Sequence, residues 1–353
     1  MRILSLGLDN LVLDPQSSVA NRLLEYGGLV DEYIVIVPDS EKKSQGLSDR
    51  VTVYGSGGAN KIIQLFKTCR LARKLIREKK FDVITVQDQY YLALLGWRLA
   101  REFGIGLELQ IHGLEKYSGI RKAIARFVIP RAGVIRAVSE RLKKRLVDEF
   151  GTAENKISVV PIYIHITHNT YHISRNKERF VFLTVGRLVE IKNISLQISA
   201  FKELLKINKN IELQIVGAGP FEDVLKKEAV GIEQIKFIGW QNDLEEYYKN
   251  ADVFLLTSNY EGWGMVIIEA ASYGLPIIMT DVGCAGEVIK NNESGLIVPV
   301  GDLEELKNAM EGVATDKDLQ NRLGQGAREA IMKLPNKEET LRMYLENWRS
   351  VNY

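Results

Sequence analysis

Residues 251–283 read ADVFLLTSNYEGWGMVIIEAASYGLPIIMTDVG, and this stretch decides the fold of the second half of the chain. Its first apolar run, ADVFLL, predicts a strand that is buried on both faces. In the loop that follows, Gly262 and Gly264 flank Trp263, so the backbone can turn sharply and approach a ligand closely. A helix is expected over residues 265–273, before a further strand, PIIMT. This alternation of strand and helix predicts an α/β protein.

The loop ahead of the predicted helix has chemistry that suits a sugar nucleotide. The start of a helix presents free amide groups, which bind phosphate. Glu261 stands before the turn and Glu269 stands inside the helix, and a carboxylate accepts hydrogen bonds from the hydroxyl groups of a sugar or a ribose. An ordinary helix with one solvated and one capping glutamate fits the same spacing, because a motif match is a hypothesis.

The segment EGWGMVIIE, in which seven residues separate Glu261 from Glu269, resembles the paired-glutamate motif of the retaining glycosyltransferases of family 4. The segments VGRLVEIKN, IVGAGP, FIGW and GEVIKNNESGLIVPVGD are also similar to that family and follow in its usual order. The resemblance is strong over residues 180–302, weaker over residues 81–161 and poor before them. It implies the α/β fold named GT-B, in which two Rossmann-like domains face each other across a cleft and the last helix crosses back to the first domain.

The length of 353 residues is enough for two domains. We expect an acceptor-binding domain over residues 1–165 and a nucleotide-sugar-binding domain over residues 166–336, with a helix at residues 337–353 returning to the first domain. No apolar run reaches the roughly 18 residues that span a bilayer, and Asp9 comes too early for a signal peptide. The two cysteines are far apart in sequence, as expected for free thiols in a reducing compartment. These features predict a cytoplasmic protein.

The donor site is expected to combine the second domain with one histidine of the first. Arg187 and Lys192 lie between a predicted strand end and a helix start, where two cations form a clamp for a pyrophosphate; the resemblance implies this role, and a pair of surface cations is the plain alternative. His112 matches a histidine that reaches the donor sugar and diphosphate in the family, although a lone histidine after a strand is more often structural. The resemblance implies that Glu261 orients the sugar and Glu269 holds the ribose. Further donor-binding residues implied by it are Gly186, Gly217, Trp240, Gly262, Trp263, Gly264, Met265 and Val266.

The resemblance implies retaining, metal-independent transfer of a hexose from a UDP- or GDP-linked sugar to a glycan or lipid-linked acceptor, in the synthesis of a cell-surface polysaccharide or glycoconjugate. No metal and no other cofactor are expected, because Arg187, Lys192 and the helix amides would stabilise the leaving diphosphate. Two alternatives stay open: an epimerase-like enzyme that uses no acceptor, and a catalytically silent sugar-nucleotide-binding subunit. An NAD-dependent enzyme is disfavoured, because no GxGxxG follows the first predicted strand. For Trp240, stacking on the base and packing in the core are equally compatible with the sequence.

The net charge of +2 conceals a charge asymmetry, because residues 1–170 carry 26 Lys and Arg against 18 Asp and Glu. Residues 61–80 contain eight Lys or Arg and one Glu, and residues 121–145 contain nine and one. Basic amphipathic helices bind anionic membrane surfaces, so peripheral membrane association is expected, with solvated helix faces as the plain alternative. Nucleic acid is not an expected partner, since no basic motif interleaved with aromatic residues is present. In the first stretch, one face is expected to pack on the sheet through Ile62, Leu65, Cys69, Ala72 and Ile76.

The polar stretch THNTYHISRNKE and the residues just before it contain His165, His168 and His172. Metal binding needs convergent ligands and usually a carboxylate or thiolate partner, so we interpret this region as an interdomain linker and predict no metal site.

The chain departs from the family pattern at two places. Pro161 is followed by isoleucine where many members have Pro-Asn-Gly, and DNLVLDPQSS replaces the usual glycine-rich loop after the first strand.

Overall fold

The computed structural model describes residues 1–114, 119–163 and 179–351. The chain forms two compact units, one of Met1–Pro161 with Lys337–Tyr353 and one of Ile162–Asn336. The C-terminal helix therefore belongs to the first unit, as the predicted fold requires. The predicted domain boundary between residues 165 and 166 lies outside the described residues.

The first unit is built on an eight-stranded sheet within the described residues. Its strands run in the spatial order β3-β4-β2-β1-β5-β6-β7-β8, and the described neighbours pair in parallel except for the β3–β4 hairpin at one edge. The strands are β1 (Arg2–Leu6), β2 (Glu32–Val37), β3 (Lys42–Gly46), β4 (Val51–Ser56), β5 (Val83–Val86), β6 (Gly106–Ile111), β7 (Val134–Ala137) and β8 (Ile157–Val159). The central strands are buried throughout, as expected for a parallel sheet with helices on both faces.

The second unit has a six-stranded sheet whose described neighbours all pair in parallel. Its strands are β9 (Phe180–Val185), β10 (Ile211–Val216), β11 (Ile235–Gly239), β12 (Val253–Leu256), β13 (Ile277–Thr280) and β14 (Leu296–Val298). Their spatial order is β11-β10-β9-β12-β13-β14, so the direction of strand addition reverses between β9 and β12. Open parallel sheets bind ligands at such a switch point, beside the carboxyl ends of the strands.

The helices follow the periodicity of the sequence and begin at side-chain caps in several places. Asn60, Ser139 and Asp302 each accept hydrogen bonds from backbone amides of the first turn of their helices. Over the described ranges, none of the helices combines the length and the apolar character that crossing a bilayer requires. The helices are α1 (Ser18–Gly28), α2 (Lys61–Glu78), α3 (Tyr91–Phe103), α4 (Gly119–Val128), α5 (Glu140–Phe150), α6 (Ile194–Ile207), α7 (Glu222–Glu228), α8 (Glu245–Asn250), α9 (Met265–Ser272), α10 (Leu303–Thr315), α11 (Lys317–Ile331) and α12 (Lys337–Arg349).

A buried ionic cluster attaches α12 to the first sheet. The carboxylate of Glu108, in the middle of β6, is fully buried and accepts hydrogen bonds from Trp348 Nε1 at 2.9 Å and from Asn347 Nδ2. On the neighbouring strand, Arg136 Nε lies 3.4 Å from Glu108 Oε1, and its guanidinium carbon lies 3.9 Å from the ring centre of Tyr344. A buried carboxylate destabilises a fold unless it is paired and hydrogen-bonded, and Glu108 is both. Helix α12 therefore supplies partners without which the sheet would contain an incompletely satisfied carboxylate.

Candidate functional site

Charged side chains meet at the switch point of the second sheet. Arg187 and Lys192 follow β9, and Glu261 lies in the loop that follows β12. Because β9 and β12 are adjacent and parallel, the segments leaving their carboxyl ends lie side by side. The sequence-predicted clamp residues and the first predicted glutamate therefore share one edge of one sheet.

Lys192 and Glu261 are direct partners. The distance from Lys192 Nζ to Glu261 Oε1 is 2.5 Å, and Ser258 Oγ donates to the same oxygen at 2.6 Å. The two charged side chains are only 20% and 13% exposed, so little water screens their attraction. Both hydrogen bonds end on Oε1, and neither uses Oε2. Lys192 was predicted to bind the diphosphate and Glu261 the sugar, and no sequence pattern indicated that the two side chains would contact each other.

A set of polar side chains that the sequence analysis did not single out fixes the turn carrying Lys192. Thr257 Oγ1 donates to the backbone oxygen of Asn193 at 3.0 Å, and Gln197 Nε2 donates to Thr257 Oγ1 at 2.9 Å. The backbone amide of Asn259 donates to the oxygen of Ile191 at 2.8 Å. Asn193 has a φ of 47°, a left-handed conformation that asparagine adopts more readily than most residues. These bonds join the two strand-end loops, so Lys192 is held where Glu261 can reach it.

The loop containing Gly262 and Gly264 turns into α9 as predicted. Gly264 has a φ of 96° and stands at the N-cap of α9, where the described structure contains no side-chain capping bond. Met265 and Val266 form the first turn, whose amide groups point along the positive end of the helix dipole. This end of α9 can receive an anion such as a phosphate.

Gly283, which was not among the predicted site residues, allows the loop around Trp263 to pack against the segment that follows β13. Gly283 has a φ of 57°, and a Cβ atom there would lie 2.5 Å from the backbone oxygen of Trp263. The amide of Cys284 donates to that same oxygen at 2.9 Å. The side chain of Trp263 is only 3% exposed, so the indole packs inside the second unit. The predicted contact of Trp263 with the donor stays a prediction, and its indole is not freely accessible.

Glu269, on α9, is held by a tyrosine from the preceding helix. Tyr248 Oη donates to Glu269 Oε2 at 2.8 Å, and the Tyr248 ring stacks on Tyr273 with ring centres 5.2 Å apart. Burial, followed by the negative charge of Glu269, raises the pKa of Tyr248 above its ordinary value. The phenol therefore remains a proton donor to the carboxylate. One oxygen of Glu269 is fixed in this way, and nothing in the sequence pattern marked Tyr248 as its partner.

The predicted glycines after β9 and β10 bring two backbone segments together. Gly217 has a φ of 138°, and a Cβ atom there would lie 1.8 Å from the backbone oxygen of Gly186. The amide of Leu188 donates to the oxygen of Ala218 at 3.0 Å. Because no side chain fits between these segments, Gly217 is required by backbone packing beside Arg187.

Two further predicted residues are exposed. Trp240 directly follows β11 and is 67% exposed, which excludes the core alternative and leaves its ring accessible for stacking. Arg187 is also exposed, and within the described ranges it takes part in no ion pair. An accessible cation and an accessible aromatic face thus stand on the same side of the sheet as the carboxyl ends of β9 and β11.

His112 belongs to the first unit, where it directly follows β6. The side chain of His112 is exposed to solvent, so it is accessible to a ligand, and its contact with the donor stays a prediction. His165, His168 and His172 lie outside the described residues.

The chain contains an Asp-x-Asp sequence, Asp316-Lys317-Asp318, of the kind that holds a metal in many transferases. Asp316 accepts a hydrogen bond from the amide of Leu319 at 2.9 Å and caps α11, so this carboxylate has a structural partner. Among the described residues, no group of three or more His, Cys, Asp or Glu side chains is close enough together to hold a metal ion.

Comparisons with known proteins cover almost the whole chain. A family model described as "Glycosyl transferases group 1" matches residues 170–330, and one described as "Glycosyltransferase Family 4" matches residues 19–168. The capsular polysaccharide biosynthesis glycosyltransferase CapM of Staphylococcus aureus is 28% identical over 211 residues, which are 55% of this chain and 56% of that protein. An Escherichia coli protein, UDP-Gal:alpha-D-GlcNAc-diphosphoundecaprenol alpha-1,3-galactosyltransferase, is 28% identical over 284 residues, 73% of each chain. The match thus spans little more than half the length of the first of these relatives.

The fold has close counterparts among solved structures. The crystal structure of Anabaena HepE in complex with UDP superposes with a TM-score of 0.82, at 18% identity, over 99% of this chain and 100% of that one. At this identity the likeness concerns the fold, and it agrees with the two parallel sheets described above.

Proposed function

Since the chain belongs to the glycosyltransferases of family 4 and has the GT-B fold, we propose that it transfers a hexose from a UDP- or GDP-linked sugar to a glycan or lipid-linked acceptor. The observation that carries this proposal is the convergence of Lys192, Glu261, Arg187 and the N-terminus of α9 at the switch point of the second sheet. These groups supply positive charge and backbone amides for a diphosphate, with a carboxylate beside them for sugar hydroxyls.

The cations and the helix amides would act on the leaving group. Negative charge builds on the diphosphate as its bond to the sugar breaks, and fixed donors stabilise such charge in a poorly hydrated site. Lys192 reaches the diphosphate by sharing its ammonium group between Glu261 and a phosphate oxygen. Glu261 orients the sugar through its hydroxyls, and Glu269, steadied by Tyr248, accepts from the ribose. His112 is proposed to reach the donor sugar and diphosphate.

We propose retention of the anomeric configuration. The bond from the anomeric carbon to the diphosphate oxygen breaks while the acceptor oxygen bonds to the same face of the sugar, and the acceptor proton passes to that diphosphate oxygen. Metal independence follows from the same assignment, because Arg187, Lys192 and the α9 amides provide the countercharge that a bound metal supplies in other transferases.

The proposed biological setting is the synthesis of a cell-surface polysaccharide or glycoconjugate, on the cytoplasmic side of a membrane with which the protein associates peripherally. Support comes from the names of the two relatives, one a capsular polysaccharide enzyme and the other an enzyme for a diphosphoundecaprenol-linked acceptor. The excess of basic residues in the first unit supports the membrane part of the proposal.

The test uses the purified full chain with a panel of UDP- and GDP-sugars, each with and without lipid-linked acceptors, in the presence of EDTA. We expect one donor to be consumed with an acceptor, to give a product whose anomeric configuration, read by NMR, matches the donor. Epimerised nucleotide sugar without acceptor would indicate the epimerase-like alternative. Donor binding by calorimetry without turnover of any pair would indicate a silent subunit. A strict requirement for Mg²⁺ or Mn²⁺ would contradict the leaving-group assignment.

A further inference from the structure

Helix α2 of the first unit presents a continuous cationic face to solvent. Its buried residues are Thr68, Ala72, Leu75 and Ile76. On the opposite face Lys67, Arg70, Lys74 and Arg77 are exposed and recur at intervals of three or four residues. Like charges at this spacing repel each other and destabilise a helix slightly, so a negatively charged partner would stabilise this face.

Among the described residues, acidic side chains pair with only some of the basic residues of α2. Arg73 pairs with Glu102 at 2.9 Å and Lys74 pairs with Glu78 at 3.7 Å. Within the described ranges, Lys67, Arg70 and Arg77 form no ion pair. The second basic stretch differs, because on α5 Lys144 pairs with Asp148 at 2.8 Å and Arg145 with Glu149 at 2.7 Å. Lys67, Arg70 and Arg77 of α2 therefore differ from the paired cations of α5.

The cationic face borders a groove, which we name the α2 groove. It has a volume of about 1300 Å³ and is formed by α2, the start of β3, the end of β4 and one turn of α3. Of its lining residues, eight are Lys or Arg and one is Glu. Lys42 and Arg98 reach it from other elements than α2, so the positive charge surrounds a concavity and is not spread over a flat surface. A concave cationic site suits phosphate groups, which accept hydrogen bonds from several donors at once.

Large apolar side chains extend this face at the start of the helix. Ile62 is 81% exposed and Phe66 is 69% exposed, and Phe66 also lines the α2 groove. The expectation that Ile62 packs on the sheet is therefore wrong: the residues that α2 buries begin at Thr68, so its first two turns have no buried face. Exposed apolar residues next to a row of cations are typical of helices that lie in a membrane interface.

We propose that the α2 groove binds the phosphate groups of anionic membrane lipids, with Ile62 and Phe66 entering the boundary between headgroups and acyl chains. This inference deepens the peripheral membrane association of the proposed function and rests on it, by naming the element that makes the contact. Charge complementarity identifies a phosphate-bearing ligand, and the exposed isoleucine and phenylalanine favour a bilayer over a soluble phosphate.

The experiment is flotation of the full chain with vesicles of phosphatidylcholine alone or mixed with phosphatidylglycerol, at low and high salt. The wild type is expected to float with the mixed vesicles at low salt only. Arg70→Glu combined with Arg77→Glu should lower the bound fraction at least about tenfold, because each basic side chain near a lipid surface contributes to binding. The matched control, Lys122→Glu with Arg126→Glu on α4, changes the net charge equally and should stay within about twofold of the wild type. Circular dichroism and thermal melting confirm that all variants are folded.

Three outcomes would overturn the proposal. The first is equal flotation of the wild type and the α2 variant, and the second is an equal loss in the α4 control, which would indicate a general charge effect. The third outcome has two parts: the double variant Ile62→Ser/Phe66→Ser floats as well as the wild type, and soluble glycerol phosphate displaces the wild type from vesicles. Together these results would assign the groove to a soluble phosphate. Turnover with a soluble acceptor separates this proposal from the proposed function. An α2 variant that retains turnover but no longer floats supports the groove, and a wild type that floats but transfers no sugar contradicts the transferase activity alone.

Discussion

The two units place their charged residues differently relative to their strands. In the first unit, Glu108 and Arg136 stand in the middle of β6 and β7, are buried, and find partners on α12. In the second unit, Lys192 and Glu261 stand beyond the ends of β9 and β12 and keep some contact with solvent. A charge inside a strand of a covered sheet must be satisfied by the protein, whereas a charge beyond a strand end can exchange its protein partner for a ligand. The position along the strand thus separates the buried charges that pair within the first unit from the charges that are proposed to bind the donor.

The largest effect on stability is expected from Glu108→Ala. It leaves Arg136 buried without its carboxylate, and breaking a buried pair in this way costs about 3–5 kcal/mol of unfolding free energy. The matched control is Glu102→Ala, which removes a surface pair with Arg73 in the same unit and should cost less than about 1 kcal/mol. Urea denaturation measures both. Equal costs for the two variants would show that burial does not distinguish the pairs.

Lys192→Ala in the second unit is expected to lower turnover and to leave stability nearly unchanged, unlike Glu108→Ala, whose main effect is on stability. Turnover should fall about 100- to 1000-fold through loss of charge at the leaving group, while the protein stays folded. Lys206→Ala removes an exposed lysine that pairs with Glu203 and should leave turnover unchanged. A donor-consumption assay compares them, and near-wild-type turnover in Lys192→Ala would contradict the assigned role.

A smaller effect is expected from Tyr248→Phe, which removes only the hydroxyl that donates to Glu269. A hydrogen bond to a charged group contributes about 1.5–3 kcal/mol, so the KM for the donor should rise about tenfold or more with little change in kcat. Preference for a ribose over a 2′-deoxyribose donor should shrink at the same time, which loss of packing would not cause. Tyr247→Phe serves as the control. An unchanged KM and sugar preference would remove Tyr248 from the ribose site.

The smallest expected effect is a loss of stability at alkaline pH, to which one buried tyrosine in each unit contributes. Burial raises the pKa of Tyr33 in the first unit and of Tyr248 in the second above the ordinary value of 10.0. The folded state therefore holds these protons more tightly than the unfolded state, and the unfolding free energy falls as pH rises above that value, by about 1.4 kcal/mol per pH unit for each group. Tyr33→Phe and Tyr248→Phe should each reduce this slope. A slope that neither substitution changes would contradict the burial assignment.

The sequence predicted those features that depend on local pattern. The apolar run, the paired glycines and the following helix identified β12 and α9, because strand burial and helix entry are encoded within about 30 adjacent residues. The ion pair of Lys192 with Glu261 joins residues 69 positions apart and has no local signature. The same holds for the bond between Tyr248 and Glu269. Periodicity likewise placed Ile62 on the buried face, since it describes the helix but not where the sheet beneath it ends. Most of the fold was therefore predictable, while the partners within the site were not.

The attachment of α12 has a consequence for biosynthesis. Strand β6 leaves the ribosome well before Asn347 and Trp348, with the whole second unit translated in between. During that interval the carboxylate of Glu108 lacks two of its donors, so the early-synthesised unit cannot complete its interior until the late helix arrives. A chain that ends before Lys337 would consequently lack Asn347 and Trp348 and leave the carboxylate of Glu108 without these two donors.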